Sequence, residues 1–532
     1  MADRWRGMGE RVTRHSQARA AMTQNLVVAL IADTSNPGAA ARLLDDLDEL
    51  ASLDRGLGRI TVVVLENPAC EDATMAEFRA QRVHLRVVAR SIQKRDAARG
   101  HFGRIALTAG RLPIATARRL VKRYAVDHTD AYTAVWVLDE DLRLTPMLDA
   151  IAAGRFSLSQ CIRHLRASRI DIAVGPVIGA PPVPARSTVR VNLEDVLRHL
   201  DIIAALHPDT VWPDRTAENA QVRIALPEYY YDLTRAHEDP ASRPMWLEPD
   251  TPGESVRSVF ARLSVAAGQL LDGVPVTRAV RHVAINGQTC KRAVEALYLG
   301  GNTLIVRPDL LAKIPSIAPR LGGRVTRRSD MLWARLAVAY AGAQVGSAPL
   351  TALQDRTGPG RSSFGLDKLL DDVRGSAAVA ALDTFLGGES LSRAADVYAM
   401  RVNERVAQIR QSEERVRQQL VVIDTQLDTP GHRIDFLAHP CHDPSVARLR
   451  EAVWKLRQLH ACSFEPGDLV TERAELKQFL SDLPEELTAY RMAVEAPGRF
   501  QRGPTPGADT GTVICFGSAE RRPHRFCHTE PV

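Results

Sequence analysis

Three consecutive acids, Asp139, Glu140 and Asp141, close the apolar stretch AVWVLDEDLRL at residues 134–144. Like charges side by side repel, so carboxylates packed at the end of a strand-forming run call for a positive partner. In an extended strand successive side chains face opposite ways, which sets Asp139 and Asp141 on one side and Glu140 on the other. Two carboxylates on one side can anchor a hard divalent cation. Mg²⁺ takes oxygen ligands and commonly completes its shell with water and substrate phosphates, and Mn²⁺ accepts similar ligands. The spacing therefore points to a Mn²⁺ or Mg²⁺ ion bridging a diphosphate. The plainer alternative makes Asp139 a cap on the next helix and Asp141 a solvated side chain.

The elements that would position these acids alternate along the first third of the chain. Apolar strands are expected over 25–33, 59–67, 83–90 and 134–141, separated by helices over 36–53, 73–81 and 114–128. Continuous apolar strands between helices predict a parallel sheet covered on both faces, a doubly wound α/β arrangement. In such sheets ligands bind outside the carboxyl ends of the strands, and Asp33, Glu66 and Asp139–Asp141 all fall at such ends. A further strand is expected over 170–179, and residues 190–285 mix amphipathic helices with the aromatic stretch PEYYYDLT. GGNTLIVRPDLLAKIP (300–315) reads as a glycine turn, a strand and a helix, and 327–346 as a mostly apolar helix. Residues 359–365 read as a loop, and the pattern becomes helical and charged near 385, with helices over 443–462 and 472–483.

The expected organisation is a leader over 1–22, an α/β domain over 23–380 with a break near 155, a helical appendage over 381–494 and a polar tail over 495–532. At 532 residues and 58.4 kDa the chain is long for one domain. The net charge of +6 is spread out, with no block of like charges that would suit a nucleic-acid tail. Only seven of the 69 basic residues are Lys. Arginine suits diphosphate binding because its planar fork bonds two oxygens, although genome composition accounts for the bias more simply. Seven scattered Cys form no disulfide framework and fit a reducing, cytoplasmic setting. No apolar run approaches the ~20 residues of a membrane helix.

Taken in order, several of these stretches resemble the GT-A-fold glycosyltransferases, in particular family 2-like enzymes that use nucleotide-diphosphate sugars. NLVVALIAD resembles their first strand, ITVVVLEN the second, PIATARRLVKRY the arginine-containing helix before the metal motif, and VWVLDEDLRL the DxD strand. GGNTLIVRPDLL resembles the acceptor-side strand and turn, and RRSDMLWARLA the acidic helix start that carries the general base in inverting members. The resemblance covers roughly residues 25–345. It implies a GT-A-like, mostly parallel sheet and a metal-dependent transfer from a nucleotide-diphosphate sugar to an acceptor hydroxyl. Ala32, Asp33, Glu66, Arg118 and Asp139 would contact the donor, with Gly300, Gly301 and Asn302 at the sugar and Arg327 and Arg328 at the diphosphate. Asp141 and Asp139 would hold the metal and Asp330 would be the base. The sequence departs from the family where Ser329 stands for an acid, where the segment before GGN is longer than usual, and where no QxxRW motif is found, which disfavours processive synthesis.

Each of these residues also has an ordinary explanation. Asp330 could compensate a helix N-terminus, the glycine pair could be a plain turn, and Trp333 could be core. His439, Cys441, His442, His460 and Cys462 have zinc-ligand types without paired spacing. His237 and Glu238 with EYYYD could line an acceptor pocket or pack as a loop. The charged helix beyond 385 could pair within the chain or form a homo-oligomer. Two rival functions stand beside the first: a nucleotidyltransferase, for which ADTSNPGAAAR makes a poor phosphate loop, and a non-catalytic scaffold acting through its helical region.

Overall fold

A computed structural model describes residues 23–33, 37–68, 78–105, 107, 109–130, 133–179, 193, 196–197, 199–203, 205–215, 253–271, 290–292, 303–355, 366–428, 444–459, 465, 467–496. The chain runs β1 (Gln24–Asp33), α1 (Pro37–Leu53), β2 (Leu57–Asn67), β3 (His84–Val88), α2 (Arg90–Ala98), α3 (Ile114–Val126), β4 (Thr133–Asp139) and β5 (Leu142–Arg143). It continues through α4 (Thr145–Ala152), α5 (Leu158–Ala167), β6 (Ile172–Val174), β7 (Val177–Gly179), α6 (Val256–Leu271), β8 (Lys291–Arg292), β9 (Thr303–Val306) and α7 (Pro308–Lys313). Then come β10 (Arg320–Leu321), β11 (Arg324–Val325), α8 (Ser329–Ala341), β12 (Val345–Ser347) and β13 (Ala352–Gln354). The last four helices are α9 (Leu366–Leu386), α10 (Leu391–Asp428), α11 (Pro444–Leu459) and α12 (Leu469–Glu495).

Eight strands form one sheet in the order β3-β2-β1-β4-β9-β6-β12-β8. The pairs β2–β3, β1–β2, β1–β4 and β6–β12 are parallel, while β9 runs antiparallel to both β4 and β6. The expected mixed α/β fold with a mostly parallel sheet is thus present. Alternate side chains serve the two faces. Val27, Ala29, Val63, Leu65, Val135 and Val137 join one buried cluster with α3, α7, α8, α9, α10 and α12. Leu26, Val28, Leu30, Val62, Val64, Trp136 and Leu138 join another with α1, α4 and α5. Burial on both sides is why these strands read as unbroken apolar runs.

Four local expectations change. The strand foreseen over 170–179 divides into β6 and β7, which lie in different sheets. Gly175 and Pro176 stand at the break, and a Cβ on Gly175 would come within 2.4 Å of the Leu350 carbonyl oxygen. The helix foreseen over 73–81 lies partly outside the described residues, and residues 78–81 are not helical. Helices α2 and α9 were not foreseen. The apolar helix expected over 327–346 stops at Ala341, where Gly342 takes a left-handed φ of 62° and the chain turns into β12.

The C-terminal region is helical, as expected, but α9 runs across residue 381, where the sequence suggested a boundary. Leu476, Leu480, Leu483 and Leu487 of α12 belong to the same buried cluster as the sheet. Tyr490 donates to the Leu311 carbonyl at 2.9 Å, and Arg374 of α9, with Tyr398 of α10, donates to the fully buried Glu472. A third cluster joins α6, the distal half of α10 and α11. Among the described residues no helix is long and apolar enough to cross a membrane.

Candidate functional site

The sheet order reverses between β1 and β4. Going outward from β1, the early chain builds β2 and β3 on one side and then crosses to place β4 on the other. The carboxyl ends flanking such a reversal are where open α/β sheets bind ligands. Register pairs Ile31 with Asp139 across β1 and β4, and Ala32 with Glu66 and Asp33 with Asn67 across β1 and β2. Four of the residues picked out in the sequence are therefore neighbours on three adjacent strand ends.

The positive partner of the acidic run is Arg118. It extends from α3, is 2% exposed, and donates to an Asp139 carboxylate oxygen and, at 3.3 Å, to the Leu138 carbonyl. Asp139 shares the parity of Val135 and Val137, so it points to the α3 face. Alternation does not continue past it. Strand β4 ends at Asp139, and Glu140 and Asp141 form a turn into β5. Glu140 reaches across to accept the Asp33 backbone N–H at 2.5 Å. Asp141 is 8% exposed, accepts from Gln354 Nε2 at 3.1 Å, and its carbonyl accepts the Asp355 N–H at 2.7 Å. The expectation that Asp139 and Asp141 share one side of a strand therefore gives way to a turn, in which Arg118 and Gln354 each engage one of them.

Arg118 also lies 3.5 Å from Asp330, at the first turn of α8. Lys122, one turn further along α3, contacts the other Asp330 oxygen at 3.1 Å, donates to Ser316 Oγ at 2.9 Å, and sits 4.2 Å above the Trp333 ring. The result is a buried chain of alternating charge, Asp139–Arg118–Asp330–Lys122. Burial alone would raise the Asp330 carboxyl, but Lys122 and Arg118 outweigh it and hold it below the usual range. Burial drives Lys122 down to about 8, against the pull of Asp330. Burial likewise opposes the Arg118 charge, yet Asp139, Asp330 and the more distant Asp141 keep it firmly protonated. Burial also raises Glu66, opposed by a backbone hydrogen bond from Arg90.

The other candidates fare differently. Ala32 is fully buried, main chain included, so it presents no surface to a donor, contrary to the expected donor contact. Arg327 and Arg328, expected near a diphosphate, contact Asp372 of α9 at 3.4 and 2.9 Å. Trp333 is core, fully buried with its indole N–H donated to the Ile314 carbonyl at 2.9 Å. Gly300, Gly301, Asn302, the EYYYD stretch with His237 and Glu238, and the zinc-type residues His439, Cys441, His442, His460 and Cys462 lie outside the described residues.

Three participants were missed. Lys122 follows Arg118 at helical i, i+4 spacing, which puts both on one face of α3 but does not mark that face as buried. Arg111, which pairs with Asp33 at 2.7 Å, and Gln354 lie in a loop and a three-residue strand with no periodic signature. A divalent ion would find two carboxylates here, Asp139 and Asp141. No group of three or more His, Cys, Asp or Glu among the described residues is arranged to hold one by itself. Two carboxylates would leave most of a Mg²⁺ shell to substrate phosphates and water, and Asp139 and Asp141 are each already engaged, by Arg118 and Gln354. Compared with known proteins, the chain matches no family model and no curated relative.

Proposed function

We propose that the chain is a GT-A-like glycosyltransferase that moves a sugar from a nucleotide-diphosphate sugar to an acceptor hydroxyl, by inversion and without processivity. The observation that carries this reading is the chain of charge Asp139–Arg118–Asp330–Lys122 beside the β1/β4 reversal. It joins three residues that the resemblance to those enzymes picks out separately and that are up to 212 positions apart in sequence. Asp33 and Glu66, at neighbouring strand ends, are acceptors suited to ribose or base hydroxyls and amines. Arg118 positions Asp139. Asp139 and Asp141 would hold Mn²⁺ or Mg²⁺, which would neutralise charge on the departing diphosphate. Asp330 stays ionised because of its cationic neighbours, and an ionised carboxylate can accept the acceptor's proton.

A thermal-shift panel tests the reading. UDP-, GDP- and dTDP-sugars and a nucleoside triphosphate are each added with and without Mn²⁺, to the wild type and to Asp141→Asn. Binding to the folded state raises Tm by mass action, about 2.7 kcal/mol at a hundredfold excess over Kd. The expected result is a shift that needs both the metal and one nucleotide sugar and is lost in the variant. A shift with the triphosphate alone would reassign the site to nucleotidyl transfer, and no shift with any donor would overturn the proposal.

A further inference from the structure

Away from the β1/β4 site, two cysteines from distant parts of the chain meet in the core. Cys161 lies on α5 and is fully buried. Cys290 immediately precedes β8 and is 8% exposed. Their sulfurs are 3.7 Å apart and in hydrogen-bonding contact. Both are free thiols, and a disulfide, about 2.05 Å long, requires the two sulfurs to move closer together.

The surroundings give such a bond something to do. Strand β8 is two residues long and forms the edge of the eight-stranded sheet. It is held by two register pairs with β12, Gly346↔Arg292 and Ser347↔Lys291. Arg292 also donates to the Ser168 carbonyl, just past the end of α5, at 3.2 Å. Among the described residues β8 is two residues long, and a short edge strand belongs to the less stable part of a fold. Cys290, next to β8 in sequence, is buried in the apolar cluster that also holds Cys161, whose sulfur it meets.

We propose that Cys161 and Cys290 form a reversible disulfide site that staples the β8 edge to α5 when the protein meets a hydroperoxide. This inference is independent of the proposed glycosyl transfer. Cys290 is the more accessible of the two; the hydrogen bond they share favours its thiolate against the opposing effect of burial, while the same bond, and then burial, disfavour that of Cys161. The Cys290 sulfur attacks one peroxide oxygen. The O–O bond breaks, the other oxygen leaves as hydroxide or alkoxide and takes up the thiol proton, and Cys290 becomes a sulfenic acid. Cys161 sulfur then attacks the sulfenic sulfur, the S–O bond breaks, and the hydroxyl departs with the Cys161 proton as water. Two thiols lose two electrons and two protons, and one hydroperoxide is reduced to water and an alcohol or a second water. Bridging positions 161 and 290 closes a long loop, the case in which a cross-link most constrains the unfolded chain.

The test uses the full chain with its seven cysteines. After limited hydrogen peroxide the protein is alkylated, digested without reduction and mapped by mass spectrometry. Melting is followed in parallel with and without dithiothreitol. The expected product is one linked peptide pair containing Cys161 and Cys290, two hydrogens lighter. It should come with a Tm about 2–4 °C higher that dithiothreitol reverses. In Cys161→Ala, the same treatment should leave Cys290 as a sulfenic acid trapped by dimedone. The proposal is overturned if both cysteines are alkylated after peroxide has consumed other thiols. It is also overturned if Cys290 is joined to a different cysteine, or if the linked protein melts no higher than the reduced one.

Discussion

At the residue scale the feature that governs behaviour is the buried run of charge under the strand ends. Removing one member of a buried ion pair leaves the other desolvated and uncompensated, at a cost of about 3–5 kcal/mol. Asp330→Asn strips Lys122 of its carboxylate and leaves Arg118 with Asp139. It should lower unfolding free energy in urea by about 3 kcal/mol or more. Adding Lys122→Met should recover a large part of that loss, because the stranded charge goes too; if the two losses merely add, the pair is not coupled.

Lys122 also makes a pH prediction. Its folded-state value of about 8 lies below its unfolded value. Between the two the unfolded chain binds the extra proton, so stability rises with pH there. Below pH 8 the lysine is charged in both states and folding bears the full desolvation cost. The stability of the wild type relative to Lys122→Met should therefore improve from pH 7.5 to 10, by about 1–3 kcal/mol, measured by urea unfolding. A gap that stays constant or narrows would show that the lysine titrates normally. Asp139 was visible in the sequence because acids packed at a strand end are unusual, and Asp330 through the resemblance of RRSDMLWARLA. Their cations were only half visible. Arg118 lay in a motif, but nothing local marks Lys122 as buried, since a lysine on an amphipathic helix is ordinarily on its wet side.

At the element scale, the early strands were legible for a simple reason. Covering a parallel sheet on both faces demands apolar residues at every position, and β1, β2 and β4 meet that demand almost without interruption. Short strands and α9 were not legible. A strand of two or three residues, such as β5, β8 or β13, has no period to read. Helix α9 carries Gly375 in its interior, which weakens the local helical signal. The structure supplies the reason for that glycine: a Cβ there would lie 2.4 Å from the Arg327 carbonyl oxygen and 2.8 Å from its carbon. The contact is with backbone, at the entry to α8, beside Arg328 in a left-handed conformation with φ 69°. Gly375→Ala gains up to about 1 kcal/mol of helix propensity but must force α9 off the α8 entry, an overpacking cost of about 1–3 kcal/mol. The steric term should win. The expected outcome is a lower Tm, together with weaker binding of any nucleotide sugar if the start of α8 shifts Asp330. A variant that melts at or above the wild-type temperature would show that α9 can move away freely.

At the scale of the whole molecule, α12 and the first half of α10 are part of the sheet's own cover. Amphipathic periodicity announces that a helix buries one face, but not which surface it buries that face against. That is why residues 381–494 read as an appendage. In the structure Leu476, Leu480, Leu483, Leu487 and Tyr490 of α12, with Tyr398 and Val402 of α10, are almost fully buried. Six of these seven lie in the cluster that covers one face of the sheet, and Tyr490 reaches the backbone of α7. Burying side chains of this size contributes about 1.5–3 kcal/mol each, so seven of them amount to roughly 10–20 kcal/mol, an upper estimate. A domain's entire stability is about 5–15 kcal/mol. A chain ending at residue 388 would lose that contribution and expose the apolar faces of α3, α7 and α9 to water. It should therefore show no cooperative calorimetric transition, while the full chain melts the sheet, α9 and α12 together. If instead the shortened chain melts cooperatively near the full-length temperature, the α/β part is an independent domain and the helices are the appendage their charge pattern suggests. The distinction bears on function, because α12 braces α3 through Arg119 and Glu486, and α3 is the helix that holds Arg118 and Lys122 against Asp330. If the proposed function holds, loss of α12 should therefore abolish nucleotide-sugar binding without removing any residue of the candidate site.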